Sequence, residues 1–226
     1  MSTFLERLTV GEILVSDGAT GTNLHHMGLK MGVSPEELVL DDPDLLLKLE
    51  SAFVQAGSDI ILTCTFGGTG LRMAETKYAG RAPEINARAA ALARQAASAR
   101  PGVLVGGSIG PIGKLLKPFG PLSPQDALAT YTEQARALAE GGVDLFVIET
   151  QFALEEAKLA VQAAQSQSAL PIVISFSYDR GVRTMMGVKP KQVVDTFAPL
   201  GVAAIGANCG TSLENMEKII TEYAAL

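Results

Sequence analysis

The chain alternates between short runs rich in Val and Ile and longer stretches with helical spacing. These runs are Ile13–Asp17, Asp59–Thr65, Val103–Ser108, Asp144–Glu149, Pro171–Ser177 and Val202–Cys209. Such alternation is typical of a parallel sheet built from βα units. In a barrel of these units the carboxyl ends of the strands meet on one face, where catalysis takes place. We therefore expect the reactive residues near these ends to surround one site. They are Asp17, Cys64, Glu149 and Cys209.

Helices are predicted between the runs from caps, apolar spacing and stop signals. In the first, Asp42 is the cap and Pro43 takes the first turn, with an apolar stripe that runs towards Gly57. The predicted helices are Pro43 to Gly57, Pro83–Arg100, Ser123 to Gly141, Ala153–Gln167, Pro190–Pro199 and Ser212–Ala225. The strand of the first unit is expected over Ile13–Ala19.

The predicted fold class is α/β, a (β/α)8 TIM-barrel type with about six βα units present. A complete barrel usually takes roughly 250 residues, and this chain has 226. We therefore expect the last two units to be missing. Six strands would leave an open sheet with exposed edges, which proteins usually avoid. Either another chain supplies the missing strands, or the chain is a fragment, or the fold is not a closed barrel.

Composition narrows the class of protein. We expect one domain over residues 1–226, because no linker-like segment divides the chain. The net charge of −6 and the absence of Trp argue against a nucleic-acid partner. No apolar run reaches the roughly 20 residues that span a bilayer, and the N-terminus does not resemble a signal peptide. Two cysteines suit a reducing compartment, so a cytoplasmic location is expected.

The loop Asp17–Thr22 follows the first run directly and contains two glycines. Glycines allow a sharp turn that presents backbone N–H groups to an anion such as a substrate carboxylate. Asp17, at the end of the strand, could pair with an ammonium group. The alternative interpretation is a turn with a capping aspartate.

Glu149 ends the apolar run Leu145–Ile148. A carboxylate held at the end of a buried strand could bind a cationic group of a substrate or act as an acid or base. The alternative is a carboxylate in a structural salt bridge.

The two cysteines allow different interpretations. Cys209 could be a nucleophile or, as a thiolate, a soft metal ligand. It could also be a small buried apolar residue. Cys64 could face the same site, but alternation along the strand favours a buried structural cysteine. His25 and His26 are adjacent and lack a metal-binding spacing, which favours solvated or packing side chains.

Five segments in order along the chain together resemble the homocysteine S-methyltransferase family. This family includes the homocysteine-binding module of cobalamin-dependent methionine synthase and betaine–homocysteine methyltransferase. The matching segments are Asp17–Thr22, Gly57–Gly67, Gly107–Pro111, Gly142–Thr150 and Gly206–Gly210. Each segment alone is weak evidence for the family, whereas five segments in the same order along the chain are specific for it. Cys64 stands where much of the family carries Asn.

The resemblance implies a (β/α)8 barrel that binds homocysteine and zinc and transfers a methyl group to the homocysteine thiol, giving methionine. Cys209 corresponds by motif to the first zinc-ligating cysteine. Asp17 and Glu149 correspond to the residues that hold the amino group, and they are the catalytic candidates. The remaining substrate-binding candidates are Gly18, Ala19, Thr20 and Asn208. A zinc-bound sulfur is a thiolate at neutral pH and can attack the methyl donor.

The family also supplies two more zinc cysteines, in a Gly-Gly-Cys-Cys-Gly segment that this chain lacks. A catalytic zinc normally has three protein ligands. The second hypothesis is therefore a non-catalytic or split-barrel subunit that binds an amino acid and needs a second chain or self-association for the metal site. The donor could be methylcobalamin on a separate corrinoid protein, betaine or S-methylmethionine. A lyase or aldolase is disfavoured, because no lysine suited to a Schiff base lies in a strand.

Overall fold

The computed structural model describes residues 3–210 and 212–226. Five parallel strands form one sheet in the order β1-β2-β3-β4-β5, each paired with the next along the chain. The strands are β1 Ile60–Leu62, β2 Leu104–Ile109, β3 Leu145–Gln151, β4 Ile172–Phe176 and β5 Ala204–Ala207. This is the parallel α/β arrangement predicted from the alternating runs, and every strand overlaps its predicted range.

The helices cross between the strands. They are α1 Phe4–Thr9, α2 Thr20–His26, α3 Leu38–Asp41, α4 Pro43–Ala56, α5 Gly70–Met73, α6 Ala82–Ala97, α7 Pro124–Glu140, α8 Leu154–Gln167, α9 Pro190–Phe197 and α10 Leu213–Ala224. Short 3-10 turns lie at Pro35–Glu37 and Ala198–Leu200. The six predicted helices are α4 and α6 to α10. The four that the sequence analysis missed have four to seven residues each, too few for a clear helical period.

The predicted first strand, Ile13–Ala19, is wrong as an extended strand. It forms a single bridge, Ser16 to Ile60, with Asp17 N donating to Ile60 O over 2.9 Å. Ile13 and Val15 are 88% and 56% exposed, so their apolar side chains gain little from being in a strand. The segment still runs beside β1 and delivers Asp17 to the carboxyl end of the sheet.

The two faces of the sheet bury different clusters. One face packs against the long helices and includes Ile61, Val105 and Phe146. The other face buries Ile60, Leu104 and Leu145 under Phe4 of α1. Since α1 covers this inner face near the amino ends of the strands, the carboxyl ends remain open for a site.

The inner face is tightly packed at its centre. A Cβ at Gly106 would lie 2.7 Å from Cδ2 of Leu62 and 3.0 Å from Cγ2 of Val147, so this position of β2 requires glycine. Every residue of β2 is buried, whereas all four residues of β5 are only half-buried. Within the described residues β1 and β5 do not pair with each other, so the sheet is open. None of the described helices is long and apolar enough to cross a bilayer.

Candidate functional site

A cleft of about 1030 Å³ opens at the carboxyl ends of the strands. All the residues proposed from the sequence lie along its wall: Asp17, Gly18, Ala19, Thr20, Cys64, Glu149, Asn208 and Cys209. Residues far apart in the chain are therefore neighbours here, because parallel βα units place their carboxyl ends together.

Asp17 is held by backbone on one side of the cleft. Its Oδ2 accepts a hydrogen bond from Leu62 N at 2.8 Å, and its Oδ1 accepts from Ser16 Oγ at 3.2 Å. Burial raises the pKa of Asp17 to about 6 against these hydrogen bonds, and the negative charge of Glu149 adds to the rise. The carboxyl group is thus fixed in position and would gain from a cationic partner.

The turn after Asp17 leads straight into α2. A Cβ at Gly18 would lie 3.2 Å from Cε1 of Phe53, so the backbone passes close to α4 at this point. Ala19 is the N-cap of α2 and has no side chain that could cap the first N–H groups. Backbone donors of this turn can therefore serve an anionic group in the cleft.

Glu149 lies near the end of β3 and faces the cleft. Its Oε1 accepts a hydrogen bond from Ser108 Oγ at 2.6 Å, and its Oε2 accepts from Asn208 Nδ2 at 3.3 Å. Burial raises the pKa of Glu149, while the hydrogen bond from Ser108 opposes the rise. No salt bridge to Glu149 occurs among the described residues. The structural salt bridge considered above is therefore not formed.

Asn208 links three strand ends. Its Oδ1 accepts from Thr150 N at 3.0 Å and from Ser175 Oγ at 2.7 Å, and its Nδ2 donates to Thr150 Oγ1 at 2.7 Å. Both amide atoms are thus engaged within the protein. Asn208 is therefore better suited to positioning its neighbours than to binding a substrate, because neither amide atom is free.

Two residues beside Asn208 have an unusual backbone. Thr150 has φ 60° and Cys209 has φ 56°, in the left-handed region that disfavours residues other than glycine. For β-branched Thr150 this conformation is strained. The register between β3 and β4 also shifts between Ile148 and Gln151. Such strain concentrates at functional sites, where the surrounding contacts hold it in place.

The two cysteines differ in environment. Cys209 is exposed at the cleft, with Asn208 Nδ2 at 3.4 Å from its Sγ. Cys64 is buried in an apolar cluster with Leu46 and Leu49, and burial raises the pKa of its thiol well above the usual range. The interpretation as a buried apolar residue thus fits Cys64 and not Cys209. His25 and His26 are exposed.

The metal prediction needs more ligands than this cleft offers. Across residues 3–210 and 212–226, no three His, Cys, Asp or Glu side chains are arranged to hold a metal ion. Cys209 is the single exposed cysteine of the chain. These donors therefore do not fit a catalytic zinc, which usually has three protein ligands.

Sequence reasoning missed several residues of the wall. Ser108 ends one predicted run and Ser175 lies within another, Pro171–Ser177, so the two-residue period of a strand could have placed both on the inner face. Glu36 is 3% exposed and accepts a hydrogen bond from Gly67 N, a contact without a local sequence signal. Arg72 donates from Nη1 to Pro111 O at 3.2 Å and adds a cation to the lining of the cleft.

The parallel βα units, with half-buried carboxyl groups where the strands end, place the chain in the class of βα-barrel-type proteins. A model of the homocysteine S-methyltransferase family matches residues 14–226. The chain therefore belongs to the homocysteine S-methyltransferase family, as the five sequence segments predicted.

Solved structures agree in fold. The chain is similar to the metallated form of the homocysteine methyltransferase MmuM from Escherichia coli, with a TM-score of 0.87 and 22% identity, over 98% of this chain and 83% of that chain. It is also similar to the oxidized form of that protein, with a TM-score of 0.82 and 24% identity, over 95% and 79% of the two chains. The likeness establishes a TIM-barrel-type α/β fold.

Proposed function

We propose that residues 1–226 act as one unit that binds homocysteine in the cleft and presents its sulfur for methylation to methionine. The observation that supports this most strongly is the placement of two half-buried carboxylates, Asp17 and Glu149, in the same cleft as the exposed Cys209. Family membership supplies the reaction class, and the geometry supports the roles assigned to the residues.

In this proposal Asp17 and Glu149 hold the ammonium group of homocysteine. Both carboxyl groups have pKa values raised by burial, so a positive charge between them relieves an unfavourable environment. The backbone N–H groups of Gly18, Ala19 and Thr20 bind the substrate carboxylate. This orientation fixes the amino-acid end and leaves the sulfur free to point across the cleft towards Cys209.

Methyl transfer forms a bond from the homocysteine sulfur to the methyl carbon and breaks the bond from that carbon to the donor. A free thiol is mostly protonated at neutral pH and is a weak nucleophile. Loss of its proton must therefore accompany the transfer. The contribution of this chain is orientation, which removes much of the entropic barrier between two bound reactants.

The alternative is a subunit that binds the amino acid but needs another chain for the metal site. The lone exposed Cys209 and the half-buried edge strand β5 favour it. In this version zinc dependence belongs to a complex in which a partner supplies the remaining ligands and covers β5. A corrinoid protein as methyl donor and a cytoplasmic location remain predictions.

Calorimetry with homocysteine under reducing conditions, with and without zinc, tests both versions. Binding that zinc strengthens supports an enzyme with its own metal site, and binding indifferent to zinc supports the subunit. Absence of homocysteine binding in both conditions contradicts the proposal. Methionine formation with methylcobalamin, betaine or S-methylmethionine, followed by mass spectrometry, then identifies the donor.

A further inference from the structure

A second carboxyl group lies behind Asp17, and the proposed roles do not use it. Glu50, on α4, is 5% exposed, and its Oε2 is buried without a hydrogen-bond partner among the described residues. A buried polar atom without a partner usually costs about 1–3 kcal/mol, so such groups are rare without a reason.

Glu50 and Asp17 line one small cavity of about 10 Å³, closed mainly by Leu46, Leu49 and Phe53. This volume is about that of one water molecule. Two ionised carboxylates cannot share an apolar pocket of this size at low cost, because each disfavours the charge of the other. One of the pair must therefore carry a proton when the other is charged.

The environment of Glu50 favours the proton on Glu50. Asp17 receives hydrogen bonds from Leu62 N and Ser16 Oγ, which stabilise its charged form, whereas Glu50 Oε2 receives none. Burial raises the pKa of Glu50 to about 8, and the charge of Asp17 adds to the rise. At neutral pH Glu50 is thus a neutral acid beside a carboxylate that ionises first.

We propose that Glu50 is a positioning residue of the amino-acid site, which as a neutral carboxylic acid donates a hydrogen bond to the Asp17 carboxylate through one water in their shared cavity. It holds Asp17 charged and oriented towards the ammonium group of the substrate. This role rests on the proposed function of Asp17.

The other titratable groups near Glu50 do not replace this interaction. Cys64, after β1, is the second group that interacts with Glu50, and it is a neutral thiol at this depth. On α2, His25 and His26 are exposed. On the other helices that pack against α4, the charged groups either form ion pairs or are exposed. The ion pairs are Asp41 with Lys77, Glu84 with Arg81 and Arg94 with Asp144, and Arg88 is exposed.

The test compares Glu50→Gln with Glu50→Leu in the ligand-free protein. Carboxyl carbon NMR across pH 4–9 measures the pKa of Asp17 in each. Glutamine keeps a neutral donor, so the Asp17 pKa should stay at or below its wild-type value. Leucine removes the donor, so the Asp17 pKa should rise by about one unit. Equal Asp17 pKa values in the two variants, or a rise in both, would overturn the proposal.

Thermal unfolding and homocysteine binding complete the design. Glu50→Leu places an apolar side chain beside Leu46, Leu49 and Phe53, so a melting temperature close to that of wild type shows that weaker binding does not come from misfolding. At pH 6 it should weaken homocysteine binding about fivefold, because the charged fraction of Asp17 falls, whereas Glu50→Gln should bind like wild type. Because the NMR titration needs no ligand, it tests Glu50 independently. Failure of wild type to bind homocysteine would contradict the proposed function instead.

Discussion

The two sides of the cleft are built differently. The carboxylate side is formed by Asp17, Glu50 and Glu149. Glu50 is buried, and Asp17 and Glu149 are half-buried and fixed by hydrogen bonds from β1 and β2. On the thiol side, formed by Asn208 and Cys209, the cysteine is exposed beside the half-buried edge strand β5. The difference supports the proposal that this chain holds a largely preformed amino-acid site, whereas no complete metal site lies among the residues that the structure describes.

The largest effect should come from the carboxylate side. Asp17→Asn keeps the shape and removes the charge, so homocysteine affinity measured by calorimetry should fall about 100-fold, as for a buried charge-assisted hydrogen bond. Asp59→Asn is the matched control, because Asp59 pairs with Arg7 away from the cleft lining. An Asp17→Asn protein that binds like wild type would place the ammonium site elsewhere.

Much of this architecture follows from sequence patterns. Alternating apolar runs predicted the strands, and the cap at Asp42–Pro43 predicted the start of α4, because both signals are local. The first strand, Ile13–Ala19, was predicted wrongly, since its β-branched residues suggest a strand but the segment pairs at one bridge only. Whether a segment pairs as a strand depends on the neighbouring strands in space, and the local sequence pattern carries no information about them.

The site was harder to predict in full. The placement of Asp17 and Glu149 follows from strand ends, whereas Glu50 does not. Glu50 lies within the apolar stripe of α4, and a charged residue there is normally read as solvent-facing. The left-handed backbone conformation of Thr150 could not be predicted from the sequence either, because no local sequence signal requires it. Such departures from local rules are expected where function requires them.

Asn208 joins the two sides, and its removal should have the second-largest effect. Asn208→Ala deletes the hydrogen bonds to Thr150 and Ser175, so the free energy of unfolding should fall by about 1–3 kcal/mol in urea titration. Homocysteine affinity should fall about tenfold, because Glu149 loses a donor. The control is Gln165→Ala, because Gln165 is exposed and its Nε2 donates to Leu200 O away from the cleft lining. An Asn208→Ala protein as stable as wild type would show that Thr150 is held by other contacts.

Lowering the pH should have opposite effects on binding and on stability. The folded protein raises the pKa of Asp17 to about 6 and of Glu50 to about 8, and it also raises that of Glu149. It therefore binds more protons than the unfolded chain between about pH 5 and 8, so these groups stabilise the free protein as the pH falls. Homocysteine affinity should instead fall about tenfold from pH 7 to 5, because Asp17 loses its charge.

Melting temperature and calorimetric affinity across this range measure both trends. Carboxylates with lowered pKa values, such as Asp41 and Asp59, lose their contribution to stability only below this pH range. They therefore do not affect the trend measured between pH 5 and 8. Stability and affinity that rise together with pH would mean that the carboxylate side is not protonated in the free protein.

The smallest effect should come from the thiol side. Cys209→Ser in the isolated chain, without added metal, should leave homocysteine affinity within about twofold of wild type, because an exposed thiol gives little binding energy to a ligand held elsewhere. Zinc at micromolar concentration should not change this comparison, since one cysteine is not a three-ligand site. Stoichiometric, tight zinc in the isolated wild-type chain, lost in Cys209→Ser, would show that the chain completes its own metal site, and the contrast between the two sides would disappear.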